Sequence, residues 1–257
     1  MRRLLRIAAL LASSAALAGP SAAVADEPAA APKKVREATA EELPPLLADL
    51  EAAGKKKKSA DALALLAKLE ELKHPELEKP LQKLLKHAEA AVALRAAELL
   101  EERTYPESGK ALWAASWGQA ANDTRPMVRA RVLRALGRIG FALDKRAYDD
   151  VEKLWRQVQG TPQRGNAPIL CDIAFFAEQL KDKRFARALA EALDEPVSTS
   201  NDASNPPAAW WEEKWHLWDG SKAAVHAALK ALTGEDFAST EKAKEWIEAH
   251  AKEGFAW

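Results

Sequence analysis

The chain has 257 residues, 38 of them basic and 38 acidic, and 48% hydrophobic. A neutral balance excludes the basic excess with which nucleic-acid binders neutralise phosphates, and a single cysteine, Cys171, excludes a disulfide framework within the chain. The length suits one compact domain or a repeat array, and the hydrophobic period has to separate them.

Residues 1–25 read as an export leader. Arg2, Arg3 and Arg6 give a positive start, Ile7 to Ala18 a short apolar stretch, and Ala23-Val24-Ala25 a small-x-small cleavage pattern, so Asp26 is the expected mature start. The apolar stretch is well short of the roughly 20 residues a spanning helix needs, and no cysteine stands at the cleavage point to carry a lipid anchor. The mature chain is therefore expected in the periplasm or outside the cell, with no membrane span. Loss of three arginines leaves it 35 basic against 38 acidic residues, a net charge of −3. Residues 26–38, DEPAAAPKKVREA, read as a flexible linker.

From residue 39 to 257 nearly every periodic segment has helical spacing, and the expected class is all α. Thr39 and Glu42 form a capping box that opens a helix to about Ala53, and Gly54 with Lys55 to Lys58 interrupts it. Ser59 starts the next, with Leu63, Leu66 and Leu69 along one face, and Pro75 takes the first-turn place that proline tolerates. After a break at His87-Ala88 come AEAAVALRAAELLEER, PESGKALWAASWGQA, a turn at Asn122-Asp123-Thr124, MVRARVLRALGRIG, KRAYDDVEKLWRQVQ, APILCDIAFFAEQL, KRFARALAEAL, SKAAVHAALKALTG and a last helix around EKAKEWIEAH. No strand pair or hairpin signal stands out. Cys171 lies in an apolar run, where a thiol acts as a small buried hydrophobe.

The second helices of successive pairs resemble one another. Aligning Val92, Val128, Ile169 and Ala224 brings Ala96, Val132, Ile173 and Ala228 together, then Leu100, Leu136, Ala177 and Leu232. The intervals are 36, 41 and 55 residues. Small and branched apolar residues at this spacing let neighbouring helices approach closely, and each pair covers its apolar face only by stacking on the next. VRARVLRALGRIG after the NDTRP turn resembles the second helix of a HEAT repeat, and VALRAAELLEER is a second copy; LTGEDF followed by a helix bearing Trp246 resembles the tail of exported bacterial HEAT-repeat proteins. The resemblance implies a curved α-solenoid of about five helix pairs that binds other macromolecules, with a protein as its partner. It carries over no catalytic residue.

On the helix around Met127 to Gly140, Val128, Val132, Leu136 and Ile139 share one arc, and Arg131, Arg134 and Arg138 fall nearly opposite. The resemblance turns that side toward the concave wall, beside Arg95, Glu98 and Glu102 before it and Asp172, Phe175 and Gln179 after it. Two readings stand. The arginines pair with Glu98, Glu102 and Asp172 as a ladder between repeats, or their guanidinium forks hold an anionic ligand.

Residues 210–218, WWEEKWHLW, hold four of the nine tryptophans and are read with the polar stretch before them as an insertion at 195–220. Asn205 with Pro206-Pro207 looks like the start of a short helix, Asp219-Gly220 like its end, and Ser221 like the cap of the next. Trp211, Trp215 and Trp218 share a face that Trp210 and Leu217 widen, opposite Glu212, Glu213, His216 and Asp219. Three bare indole faces would make an aggregation-prone patch, so the expected role is a plate over the last repeats with Trp246, Trp257 and Phe237 as neighbours. The alternative is a carbohydrate-binding platform, or an accessory of an envelope hydrolase, built from these rings and the loop DEPVSTSNDASNPPAA. Elsewhere no HExxH, nucleophile elbow, phosphate-cradling loop or dinucleotide fingerprint occurs, and no catalytic residue, metal or cofactor is expected.

Overall fold

The structure, a computed structural model, describes residues 35–55, 59–118, 125–198, 205–255 and 257. The expected leader, the linker up to residue 34, Lys56 to Lys58, the turn at Asn122 to Thr124 and residues 199–204 of the polar loop lie outside the described residues. The chain is predominantly helical, with eleven α-helices among the described residues. These are α1 (Leu43–Lys55), α2 (Ser59–Lys68), α3 (Pro75–Leu84), α4 (Ala90–Glu101), α5 (Gly109–Trp117), α6 (Pro126–Arg138), α7 (Lys145–Gly160), α8 (Ala167–Leu180), α9 (Ala186–Ala190), α10 (Ala208–Thr233) and α11 (Thr240–Ala249).

Local signals account for most helix starts. The Thr39 backbone N–H donates to Glu42 at 2.9 Å and the Glu42 N–H to the Thr39 hydroxyl at 3.3 Å, the reciprocal pair of a capping box. Pro75 opens α3, and the Asp144 carboxylate accepts from the Ala147 N–H at 2.8 Å to cap α7. The first helix runs through Gly54 rather than stopping there. One short strand pairing, unforeseen in the sequence, joins Arg36–Glu37 in parallel to Leu72–Lys73. It is fixed from beneath by the buried Arg103, which donates to the carbonyls of Leu69, Glu70, Leu72 and Leu99. The Leu69 carbonyl also accepts the Leu72 N–H that closes the turn, and one guanidinium gathers all four carbonyls.

The helices pack in two rows. In one, α2 lies on α4, α4 on α6, α6 on α8 and α8 on α10, in chain order; in the other, α1 lies on α3 and α3 on α5. Helices α5 and α7 cover α6 and α8 respectively, and α9 lies between α10 and α11. The seam of the first row is made of the residues that the sequence aligns. Val92, Ala96 and Leu100, then Val128, Val132 and Leu136, then Ile169, Ile173 and Ala177 are all buried, as are Ala228 and Leu232 of α10; only Ala224 is partly covered. Gly137 brings α6 close to α8: a Cβ placed there would lie 3.4 Å from the Phe176 backbone.

The segment 208–233 departs from the sequence reading. It is one helix of 26 residues, with Pro207 rather than Asn205 at its N-cap, and it passes unbroken through Asp219-Gly220. Gly220 serves close approach instead of termination, since a Cβ there would sit 2.7 Å from the Cβ of Ala167 at the start of α8. Ser221 is buried and donates back to the Leu217 carbonyl at 2.8 Å, the bond a mid-helix serine makes when it does not cap. The helix ends at Gly234, whose φ of 82° is the left-handed cap.

Candidate functional site

The arginine row of α6 lies between α4 and α8. Glu101 Oε1 accepts from Arg134 Nε at 3.0 Å and from Arg138 Nε and Nη2 at 3.0 and 2.8 Å. Arg131 Nη1 stands 3.9 Å from the other oxygen of Glu101. On the α8 side, Asp172 lies 3.2 Å from Arg131 Nε and 3.5 Å from Arg134 Nη1. The Arg131 Nε–H does not point at that carboxylate, so the contact is an ion pair without a hydrogen bond. Phe175, one turn along α8, carries Arg134 over its ring at 4.1 Å and Arg138 at 5.8 Å.

Sequence spacing missed which acid of α4 takes part. Glu101 continues the row of Ala93 and Ala97, both buried, and so sits on the packed flank of the helix, whereas Glu102 is exposed. Glu98 pairs instead with Arg95 at 2.7 Å, and Arg95 also meets Glu70. Gln179 is exposed, one turn beyond Phe175.

Burial sets the electrostatics. The Asp172 side chain is 4% exposed and that of Glu101 12%, while Arg131 and Arg134 are each 24% and Arg138 47% exposed. Loss of water pushes the Asp172 carboxyl up to about 6, against the opposite pull of Arg131 and Arg134. Three guanidiniums thus share two carboxylates, one of which is poorly solvated enough to bind a proton near neutrality.

The thiol of Cys171, next to Asp172, is half-buried rather than fully enclosed. It lies 3.4 Å from the Gly220 carbonyl, and burial pushes its pKa up, away from reactivity.

The tryptophans form a different kind of site. The buried seam of α10 runs through Leu217, Ser221, Val225, Ala228 and Leu232, and the indoles flank it. Trp210, Trp211 and Trp218 are partly covered and Trp215 is 37% exposed, so the expected sealed plate is not what forms. With α10 unbroken, the residue that follows the seam one turn back from Leu217 is Lys214, whose ammonium donates to the Gln159 carbonyl at 2.8 Å. The indole N–H groups do a specific job. Trp211 donates to Asn205 Oδ1 at 3.2 Å, Trp215 to Glu195 at 2.7 Å and Trp218 to the Leu193 carbonyl at 3.0 Å. Leu193 just precedes the polar loop and Glu195 and Asn205 lie within it, and Asp194 at its base also accepts from the Thr240 N–H of α11 at 3.0 Å. The tryptophan face is thus a set of pegs that holds both ends of this loop.

The rings are crossed rather than coplanar: Trp210 and Trp211 at 82°, Trp215 and Trp218 at 53°. Trp246 stacks on His250 at 3.8 Å and meets Phe237 and Phe255 edge-on, and Trp257 takes cations from Arg187 and Lys244, so the C-terminal aromatics find partners around α11. Trp113 and Trp117 stack at 5.0 Å on α5, with Arg129 over Trp117.

Among the described residues no group of three or more His, Cys, Asp or Glu side chains could hold a metal, and no helix is long and apolar enough to cross a membrane. No family model, curated protein or solved structure matches the chain.

Proposed function

We propose that the chain is an exported, HEAT-like α-solenoid whose role is to bind another protein as a scaffold, without a catalytic step of its own. The observation that supports this reading is the serial packing of α4, α6, α8 and α10, each on the next in chain order, through residues that recur at the same places in each helix. Serial packing of this kind builds a surface from several repeats at once rather than a single cleft. In this reading the partner rests on Arg131, Arg134, Arg138 and Phe175, where cationic and aromatic groups remain partly open.

The test is capture from an envelope extract by residues 26–257, in parallel with the Arg134→Ala, Arg138→Ala variant. The reading expects a protein in the wild-type eluate that the variant fails to retain while keeping its melting temperature. A small molecule as the only eluate, or equal retention by both forms, would overturn it.

The exposure of Trp215 gives footing to a second reading, carbohydrate binding at the tryptophan segment. The crossed ring planes weigh against it, because a sugar stacks best on a flat aromatic surface, and the indole donors are already engaged. Quenching or shift of tryptophan emission on addition of envelope glycans, lost in Trp215→Ala, would favour this second reading over the scaffold.

A further inference from the structure

We infer that the arginine row of α6, with Phe175, is a docking site for an acidic segment of a protein partner, with carboxylate side chains as the groups recognised. The inference rests on the scaffold reading above and names the chemistry of the partner.

Donor and charge counts carry the argument. Three hydrogen bonds of 2.8–3.0 Å from Arg134 and Arg138 all end on a single atom, Glu101 Oε1, and Arg134 meets Asp172 only at the longer distance of 3.5 Å. A guanidinium offers a planar fork of N–H donors suited to both oxygens of a carboxylate. No two-pronged pair of that kind forms here. Arg131 is about three-quarters covered yet makes ion pairs only, at 3.9 and 3.2 Å, and its Nε–H is buried without an acceptor. A ladder built only to tie α4, α6 and α8 together would be expected to match donors with acceptors, because an unsatisfied buried donor is destabilising. The observed arrangement leaves one positive charge in excess and the buried Arg131 Nε–H without an acceptor.

Phe175 adds direction. Arg134 and Arg138 lie over its ring, and the ring itself is partly open to solvent. An apolar side chain next to an acidic one would cover the ring while its neighbour meets the guanidinium edges. A free inorganic anion, a polyphosphate or a sulfated chain has no apolar group to place on Phe175. An acidic polypeptide suits both features.

Fluorescently labelled poly-L-glutamate, titrated into residues 26–257 at low and at physiological salt, tests the inference by anisotropy. Binding is expected to weaken with salt and to fall at least tenfold in Arg134→Gln, Arg138→Gln, with no change in Trp215→Ala and no binding of poly-L-lysine. Arg138→Gln alone, at a half-exposed position, should weaken binding several-fold and guards against a fold defect in the double variant. Equal affinity in wild type and both arginine variants would overturn the inference. So would displacement of the peptide by inorganic sulfate at matched charge, or binding of heparin without binding of poly-L-glutamate. A captured partner from envelope extract with no poly-L-glutamate binding would remove this inference and leave the scaffold; failure of both would remove the scaffold as well.

Discussion

Gly220 lies within a long helix, with its own surface exposed, where alanine would ordinarily raise stability by about 1 kcal/mol through helix propensity. The Cβ it lacks would sit 2.7 Å from the Cβ of Ala167. Two methyl carbons pack at about 3.5–4.0 Å, so α10 or the first turn of α8 must move by about 1 Å. Neither carbon can rotate away, since both are fixed to backbone. Overpacking of this kind costs roughly 1–3 kcal/mol, which outweighs the propensity gain, and Gly220→Ala should lose about 1 kcal/mol net. Urea denaturation measures this directly. Ala167→Gly in the same chain removes the opposing methyl and should recover about 1–2 kcal/mol as a coupling energy in a double-mutant cycle. A Gly220→Ala chain more stable than the wild type, or a coupling near zero, would refute the close approach of α10 to α8 at this position.

Asp172 has a raised pKa of about 6 against an unfolded value of 3.8, so the folded chain holds its proton more tightly. Its contribution to stability is present below pH 4 and is lost as pH rises to about 6, by roughly 3 kcal/mol; Asp172→Asn should flatten that part of the pH–stability profile, and parallel profiles for the two forms would contradict it. Arg103→Met would remove the guanidinium that four backbone carbonyls share, of which Leu69 keeps the Leu72 N–H, and should cost about 3–5 kcal/mol by denaturation, with Arg103→Lys failing to restore them all. Trp218→Phe keeps a six-membered aromatic ring but removes the fused pyrrole ring with its bond to the Leu193 carbonyl, so it should cost at least about 1 kcal/mol and speed hydrogen exchange at residues 193–197. Trp215→Phe should cost less, because its acceptor Glu195 is on the surface.

The helices and their repeated seam were legible because they rest on local chemistry and a fixed period. Thr39 and Glu42 cap as their spacing implies, and eleven of the twelve aligned seam residues are buried. The tryptophan segment was misread where local and tertiary signals conflict. Asp-Gly favours a turn in an isolated chain, but the approach of α8 gives Gly220 another use that one sequence segment does not reveal. The cost of bare indoles set the tryptophan face, with Leu217, as the inward one; Leu217 is buried as that implies, but Ser221 shares its seam and Trp215 stays open.

At the arginine row, Asp172 and Phe175 followed from the alignment, and Glu101 did not. Glu98, Glu101 and Glu102 all lie within a turn of one another, and only the placing of α4 on α6 selects among them. Arg103 could not have been foreseen as a buried group. Three of its four acceptors are backbone carbonyls 31 to 34 residues away, at Leu72, Glu70 and Leu69.

Hydrogen exchange on the complex with the captured partner locates the binding surface most directly. Slowed exchange concentrated in residues 98–102, 131–138 and 172–179 is the predicted result. Slowing confined to residues 193–198 and 205–218, with the arginine row unchanged, would place the partner on the tryptophan face and contradict the account.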